Sequence, residues 1–409
     1  MSNRNYRLFA AGQVISITGT WAQRVAQDWL VLTLTHSGTA VGITTGLQFL
    51  PILLFSLWGG VIADRLPKRQ ILMATQAAMS ALALILGVLV VTGQVQVWHV
   101  YALAFGLGLA TALDNPTRQS FVTEMVGAAD VPNAVALNSA TFNVARVIGP
   151  AIAGFAIGLA GTGPIFLANA ASYIAVLTGL AMMRDHELVI STRAPRARGQ
   201  LREGVAYVGA RPDLWVPLLL VAFVTTLGFN YRVTTALMAK QVFHTGAGSF
   251  GLLSTALAVG SLGGALIAAR RARPRMRLLL GSAFAFGVLT TVLAFMPTYL
   301  LFMLVLVPTG LFTLTFSTAA NSTMQLGSSP AMRGRVMALY LLFFTGGKPV
   351  GSPLIGWIAQ VLNPRYSLAI AGVVAMVAAV IATMVLVRKR GLTLRSALNP
   401  AHAKSSHQL

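Results

Sequence analysis

Apolar runs of about twenty residues recur along this chain from Leu8 to Val387, separated by short polar connections. Each run is long enough to cross a hydrocarbon layer about 30 Å thick. Only 10% of the 409 residues are charged and 56% are hydrophobic, whereas soluble domains carry roughly a quarter charged residues. A soluble core cannot absorb that excess, so the chain reads as an all-α integral membrane protein. Twelve spans are expected, at 8–34, 40–63, 71–92, 98–122, 134–159, 164–183, 214–240, 249–269, 277–296, 299–325, 336–360 and 366–387. The first is too long and too polar for a cleavable signal segment and is read as the first helix.

The net charge of +21 would suit nucleic acid. The cations, however, sit in short connections rather than interleaved with aromatics on one face, so nucleic-acid binding is not expected. They fall instead in alternate connections, 122–134 excepted, and after the last span: Arg65, Lys68 and Arg69; Arg184 to Arg211; Arg270 to Arg277; Arg333 and Arg335; Arg388 to Arg395. The intervening connections hold almost no Lys or Arg beyond Arg365. The positive-inside rule then places the basic connections and both termini in the cytoplasm, and the chain in a cytoplasmic membrane. Residues 185–213 separate a six-helix bundle at 1–184 from a second at 214–390, with a tail at 391–409. Within the linker, Gln200 to Gly209 reads either as an amphipathic helix on the membrane surface or as a solvated, topogenic segment.

The halves resemble each other at an offset a little over 200 residues, the self-similarity expected of a duplicated bundle. Ala145-Arg146-Val147-Ile148-Gly149-Pro150 through Gly154 aligns with Gly347-Lys348-Pro349-Val350-Gly351-Ser352 through Gly356; Asn115 and Gln119 match Asn321 and Gln325; Arg24 and His36 match Arg232 and His244. Two related halves place a small-molecule site at their interface near the bilayer midplane.

After the second span the chain reads Gly60-Val61-Ile62-Ala63-Asp64-Arg65-Leu66-Pro67-Lys68-Arg69. This resembles the loop 2–3 signature of the major facilitator superfamily, with Pro67 in place of a glycine. Gly149-Pro150 with Gly154 is similar to the antiporter signature of its exporters, with Ala145 and Ala153 replacing two glycines. Ala26-Gln27-Asp28-Trp29-Leu30, Asn115-Pro116-Thr117-Arg118-Gln119 and Arg333-Gly334-Arg335-Val336 resemble the enterobactin-exporter-like and drug-efflux branch, although the helix 4 arginine signature of drug antiporters is missing. The resemblance implies a monomeric, proton-coupled exporter of a small molecule by alternating access, working in membrane lipid without a cofactor; a facilitative or proton-coupled importer is the alternative. It also assigns Asp64, with Arg65, Arg69 and Arg118, to the cytoplasmic gate.

A charge inside a span is expensive and faces a cavity or a partner. All nine acidic residues lie at or before Asp213, so carboxylate-based proton coupling belongs to the first half. Arg24 and Asp28 stand one turn apart and can pair. Asp28 reads as a proton carrier or as a permanently paired ion. Asp114 and Arg118 repeat the spacing around Pro116, and Asp114 and Arg24 join Asp28 as the expected proton-coupling residues. Arg146, Lys348 and Arg232 read as anion-binding groups, or as side chains reaching for the interface, and a cavity this cationic favours acidic or zwitterionic cargo. Trp21, Asn138, Phe142, Asn230, Tyr231, Asn321, Gln325 and Tyr340 would supply a mixed aromatic and polar lining, while Gly149, Pro150, Gly154 and Gly351 permit close helix approach. No cysteine, nucleotide-binding loop or metal-spaced cluster is present in the sequence, so neither an enzyme nor an ATP-driven pump is expected.

Overall fold

A computed structural model of the chain describes residues 3–184, 187–188, 200–269 and 276–389. The tail at 391–409, most of the linker and the arginines at 270–275 therefore lie outside the described residues. The helices in order are α1 (Arg4–Thr35), α2 (Gly38–Arg65), α3 (Lys68–Val91), α4 (Val97–Ala160), α5 (Gly163–Ala181), α6 (Gln200–Gly209), α7 (Pro212–Phe223), α8 (Tyr231–Leu237), α9 (Ala247–Ala269), α10 (Met276–Ala294), α11 (Tyr299–Gly327), α12 (Arg333–Gly346), α13 (Lys348–Val361) and α14 (Pro364–Lys389). Helices suit a hydrocarbon solvent because every interior backbone N–H and C=O is satisfied within the segment. Their exposed ends are capped locally: Asn3, Ser37 and Thr298 accept from the backbone N–H groups of Tyr6, Ala40 and Leu301.

Among the described residues ten stretches are long and apolar enough to cross a membrane. The remaining long helical paths are α1 and the α12–α13 pair, and with them the arrangement is consistent with twelve crossings. The expected spans 98–122 and 134–159 are two helical limbs, labelled together as α4, that meet at a kink at Gly127 (φ 71°, ψ 168°) and form two separate membrane-length stretches, Val97–Gly127 and Ala129–Ala160. A positive φ is accessible to glycine without the clash a Cβ would make. The expected span 214–240 is interrupted: a π-helical turn at Val224–Gly228 follows α7, and helical geometry lapses at Phe229 and Asn230 before α8. In the expected span 336–360 the helical hydrogen bonding lapses at Gly347, whose backbone angles stay helical (φ -67°, ψ -28°).

The first five helices pack mainly among themselves, as do α7 and α9 to α14, and the two sets meet chiefly through α2 on α13 and the second limb of α4 on α9. Both seams are built on glycine. A Cβ on Gly42 would stand 2.3 Å from the Ser352 carbonyl oxygen, and one on Gly356 would stand 2.2 Å from that of Gly38. On the other seam a Cβ on Gly251 would lie 2.5 Å from the Pro150 oxygen. Small residues allow this approach, and dispersion then holds the seam in a lipid solvent.

The cross-half contacts gather at the end away from the basic connections. There Lys240 donates to the Leu32 carbonyl (3.2 Å), Gln241 to that of His36 (3.4 Å), and the Ser37 hydroxyl to Gln360 (2.5 Å). His36 and His244 are the two non-glycine residues with positive φ among those described, both at 51°, so the duplicated sequence repeats even a strained turn. At the basic end the second limb of α4 is exposed on nearly every face from Pro132 to Ala140, with Ala134 the exception. The hydrogen bonds that join the halves lie toward the His36 end, which makes the basic end, with this exposed stretch of α4, the more open end of the seam.

Candidate functional site at the seam between the halves

Asp28 is fully buried and pairs across the seam. Arg232, set on α8 directly after the break in its span, donates from Nε to Oδ2 (2.8 Å) and from a terminal nitrogen to Oδ1 (2.9 Å). The same guanidinium reaches the Arg24 carbonyl (3.2 Å) and Gln48 of α2 (3.5 Å). A two-pronged Arg–carboxylate contact fixes geometry as well as charge. The Arg24–Asp28 pair expected within α1 is not what forms: the Arg24 guanidinium lies over the Trp21 ring, 4.8 Å from its centroid. Helical side chains lean toward the helix N-terminus, so an arginine ahead of its acid leans away from it.

Lys348, at the head of α13, places its ammonium 4.1 Å from the centroid of Phe49 on α2. Arg24, Arg232 and Arg146 are the charges close enough to act on it. Arg24, Arg146 and Lys348 have no carboxylate partner among the described residues. Three buried polar atoms without a partner lie on this stretch of α1 and α2: Arg24 Nε, Gln27 Nε2 and Thr45 Oγ1.

The remaining predicted residues divide sharply. Trp21 and Phe142 meet edge to face at 5.6 Å beside Arg24, and Asn138 is exposed on the open limb of α4. Tyr231, Tyr340 and Asn230 do not join them. The Tyr231 hydroxyl is bonded to Thr290 (2.6 Å), Tyr340 stacks on Phe344 and donates to the Ser317 carbonyl, and Asn230 accepts from Ser352 (2.7 Å). These three secure the interior of the second half, and Asn321 lies beside Tyr340 there. Gln325 is exposed at the basic end, where its carbonyl accepts from Arg333. The glycines sit at tight crossings: a Cβ on Gly149 would lie 2.6 Å from Trp21 Cβ, on Gly154 3.0 Å from Gly251 Cα, and on Gly351 1.7 Å from the Thr226 oxygen.

Asp114 makes a second buried polar cluster, within the first half alone. It accepts from Thr75 (3.0 Å), Gln76 (2.7 Å) and Arg118, whose guanidinium also donates to Gln13. Of the expected gate residues, Arg69 donates to the Leu180 and Ala181 carbonyls at the end of α5, and Arg65 is exposed. The Asp64 side chain lies outside the described residues. Sequence reasoning missed Gln48, Phe49, Thr45 and Lys240. A lone Gln in an apolar span is a signal that could have found Gln48; Phe49 carries no such mark.

The family model described as transmembrane secretion effector matches residues 1–405. The chain belongs to that family, within the major facilitator superfamily. It is 26% identical to the staphyloferrin A transporter of Staphylococcus aureus over 379 residues, covering 90% of this chain and 92% of the relative. It is 24% identical to the enterobactin exporter EntS of Shigella boydii, covering 94% and 92%, and 27% identical to the multidrug efflux pump Tap of Mycolicibacterium fortuitum, covering 86% and 88%. A bacterial homolog of the human lysosomal transporter Spinster, solved in an inward-facing and occupied conformation, superposes with a TM-score of 0.74 over 98% of this chain and all of its own, at 16% identity. That similarity establishes the fold. The protein is a multi-pass membrane transporter of small molecules.

Proposed function

We propose that the protein exports its cargo from the cytoplasm by proton antiport, with the Asp28–Arg232 pair as the coupling element. The observation that carries this reading is the placement of a fully buried carboxylate on one half against an arginine on the other, at the closed end of the cavity. Opening that end separates the halves and with them the pair. Asp28, stripped of its cation and wetted from outside, takes up a proton; when the halves close again, Arg232 recaptures the carboxylate and the proton leaves to the inner cavity. Each cycle carries one proton inward, supplying about 2.3 kcal/mol for every 100 mV of membrane potential. The basic connections support a cytoplasmic basic end, which makes the described state the one that loads cargo from inside. Two related proteins named as exporters or efflux pumps support the direction.

In this reading Arg65, Arg69 and Asp64 govern closure of the basic end, and Arg24, Trp21 and Phe142 face the cargo. Proteoliposomes holding a pH reporter, given an imposed proton gradient and a candidate cargo, test the whole reading. Outward cargo movement against its gradient with inward acidification is expected, and is abolished in Asp28→Asn. Cargo and protons moving the same way would establish an importer instead.

A further inference from the structure

The charges around the seam do not balance. Arg24, Arg146, Arg232 and Lys348 stand with one carboxylate, Asp28, and that carboxylate is taken by Arg232. Four cations less one anion leave three positive charges in a low-dielectric region, where unpaired ions are strongly disfavoured. Arg24 Nε is buried with no acceptor, and Gln27 Nε2, three residues along the same helix, is in the same condition. Ordinary packing does not account for this arrangement: α1 alternates these groups with fully buried apolar residues such as Ala26 and Val31, and the second half contributes Lys348 without contributing any acid, since no Asp or Glu follows Asp213. The cations are therefore completed by something that enters from the open end.

We infer that the cargo is a multiply anionic small molecule, carrying two or three planar oxyanion groups such as carboxylates on a flat apolar body, bound between Arg24, Arg146 and Lys348. The planar oxyanion follows from the two guanidiniums, whose fork of N–H donors matches a carboxylate, with Lys348 as a point charge. The flat body follows from the rings that already flank these cations: Trp21 beneath Arg24 and edge-on to Phe142, and Phe49 beneath Lys348. Those rings hold the cations in place while the cavity is empty and offer faces for the cargo when it is filled. The symmetry of Arg146 and Lys348 puts one cation on each half, so a cargo with two oxyanions ties the halves together from the inside. This inference rests on the seam being the transport site, as proposed above.

Benzene-1,3,5-tricarboxylate is a probe of that shape. Thermal stability of the detergent-purified full chain is measured against its concentration, with benzoate and tetraphenylphosphonium as comparisons. Saturable protection by the tricarboxylate is expected, with benzoate at least about tenfold weaker and the lipophilic cation without effect; removing a charged hydrogen-bond partner changes affinity by roughly ten- to a hundredfold. Lys348→Gln and Arg146→Gln each lower the tricarboxylate affinity by that factor, and Lys348→Arg keeps it. If a Gln variant does not give a monodisperse protein, the wild type still decides through the ratio of tricarboxylate to benzoate affinity. Equal binding of benzoate and the tricarboxylate, or protection by tetraphenylphosphonium alone, overturns the inference. Tricarboxylate binding without proton-linked flux removes the export reading and leaves the anion site standing; proton-linked flux of a lipophilic cation without tricarboxylate binding does the reverse.

Discussion

Helices α1 and the first limb of α4 each carry an acid and an arginine four residues apart, and the structure treats them oppositely. On α4 the acid comes first, and Arg118 leans back to Asp114 and closes the pair within one helix. On α1 the arginine comes first, leans back onto Trp21, and leaves Asp28 to find Arg232 on the other half. The known preference for acid-before-base at this spacing has the same origin: side chains point toward the helix N-terminus, and the helix dipole favours that order. A local stereochemical bias thus separates a cluster confined to one half from an ion pair that spans two. Asp114 has three donors inside its own bundle; the partner of Asp28 moves away whenever the halves part.

The largest effect distinguishing the two regions is on coupling. Asp28→Asn is expected to reduce uphill, proton-driven transport to the level of protein-free liposomes while downhill exchange persists, measured by radiolabelled flux with and without a gradient. Asp114→Asn is expected to keep the proton-to-cargo ratio of the wild type. If Asp114→Asn abolished coupling and Asp28→Asn did not, the division of labour drawn here would be inverted.

Stability is expected to run the other way. Asp114 is 1% exposed at its side chain and Arg118 21%, and stripping one partner from such a pair costs about 3–5 kcal/mol when burial is complete. Asp114→Ala also orphans Thr75 and Gln76, so a loss toward that range is expected, read as a lower apparent Tm by intrinsic fluorescence. Asp28→Asn keeps a carbonyl acceptor for Arg232, which borders the cavity, and is expected to lose less, about 1–2 kcal/mol.

Much of this arrangement is legible in the sequence, and the boundary is physical. Hydropathy marks the spans because lipid demands long apolar helices, and the lone ionisable residues mark the seam because they cannot face lipid. The two helical paths outside the ten apolar stretches, α1 and α12–α13, are those that bring Gln13, Gln23, Arg24, Gln27, Asp28 and Lys348 into the protein interior. Their departure from the pattern was itself a signal of the site. Partner choice was not legible in the same way. Spacing alone made Arg24 and Asp28 neighbours, and only the break at Phe229–Asn230, which aims Arg232 across the seam, shows who holds Asp28. Aromatic candidates failed for a similar reason: Tyr231 lies beside Arg232 in sequence yet faces Thr290 on the opposite side of its helix. Arg365, the exception among the intervening connections, donates to the Ala294 and Met296 carbonyls at the end of α10 and so has a structural assignment that topology rules do not anticipate.

Closure of the seam offers a smaller, conformational effect. The chain has no cysteine, so spin labels at Thr39→Cys and Gln360→Cys, whose groups are bonded at the closed end (3.2 Å), report its opening without background. Gly154→Val places side-chain atoms against Gly251 Cα and the Gly248 carbonyl. It is expected to shift the distance distribution toward a longer, open population. Asp28→Asn is expected to act in the same direction and Asp114→Asn to leave the distribution unchanged.

The smallest intrinsic energy is in the order of the pair itself, and it gives the sharpest comparison. Exchanging the two residues of α1, Arg24→Asp with Asp28→Arg, places the acid first, as on α4. An exposed pair of this kind stabilises a helix by only about 0.2–0.5 kcal/mol in all, so no measurable change in Tm is expected from the helix alone. The exchanged arginine, however, would sit where the carboxylate met Arg232, and two guanidiniums at that place repel. The expected outcome is a folded protein whose spin-label distances at Thr39 and Gln360 resemble those of Asp28→Asn, with restoration of the short distance when Arg232→Asp is added. If the exchanged protein kept the closed end shut without that third change, the cross-half pair would not be what holds the seam, and the contrast between the two helices would reduce to packing at Gly42, Gly154 and Gly356.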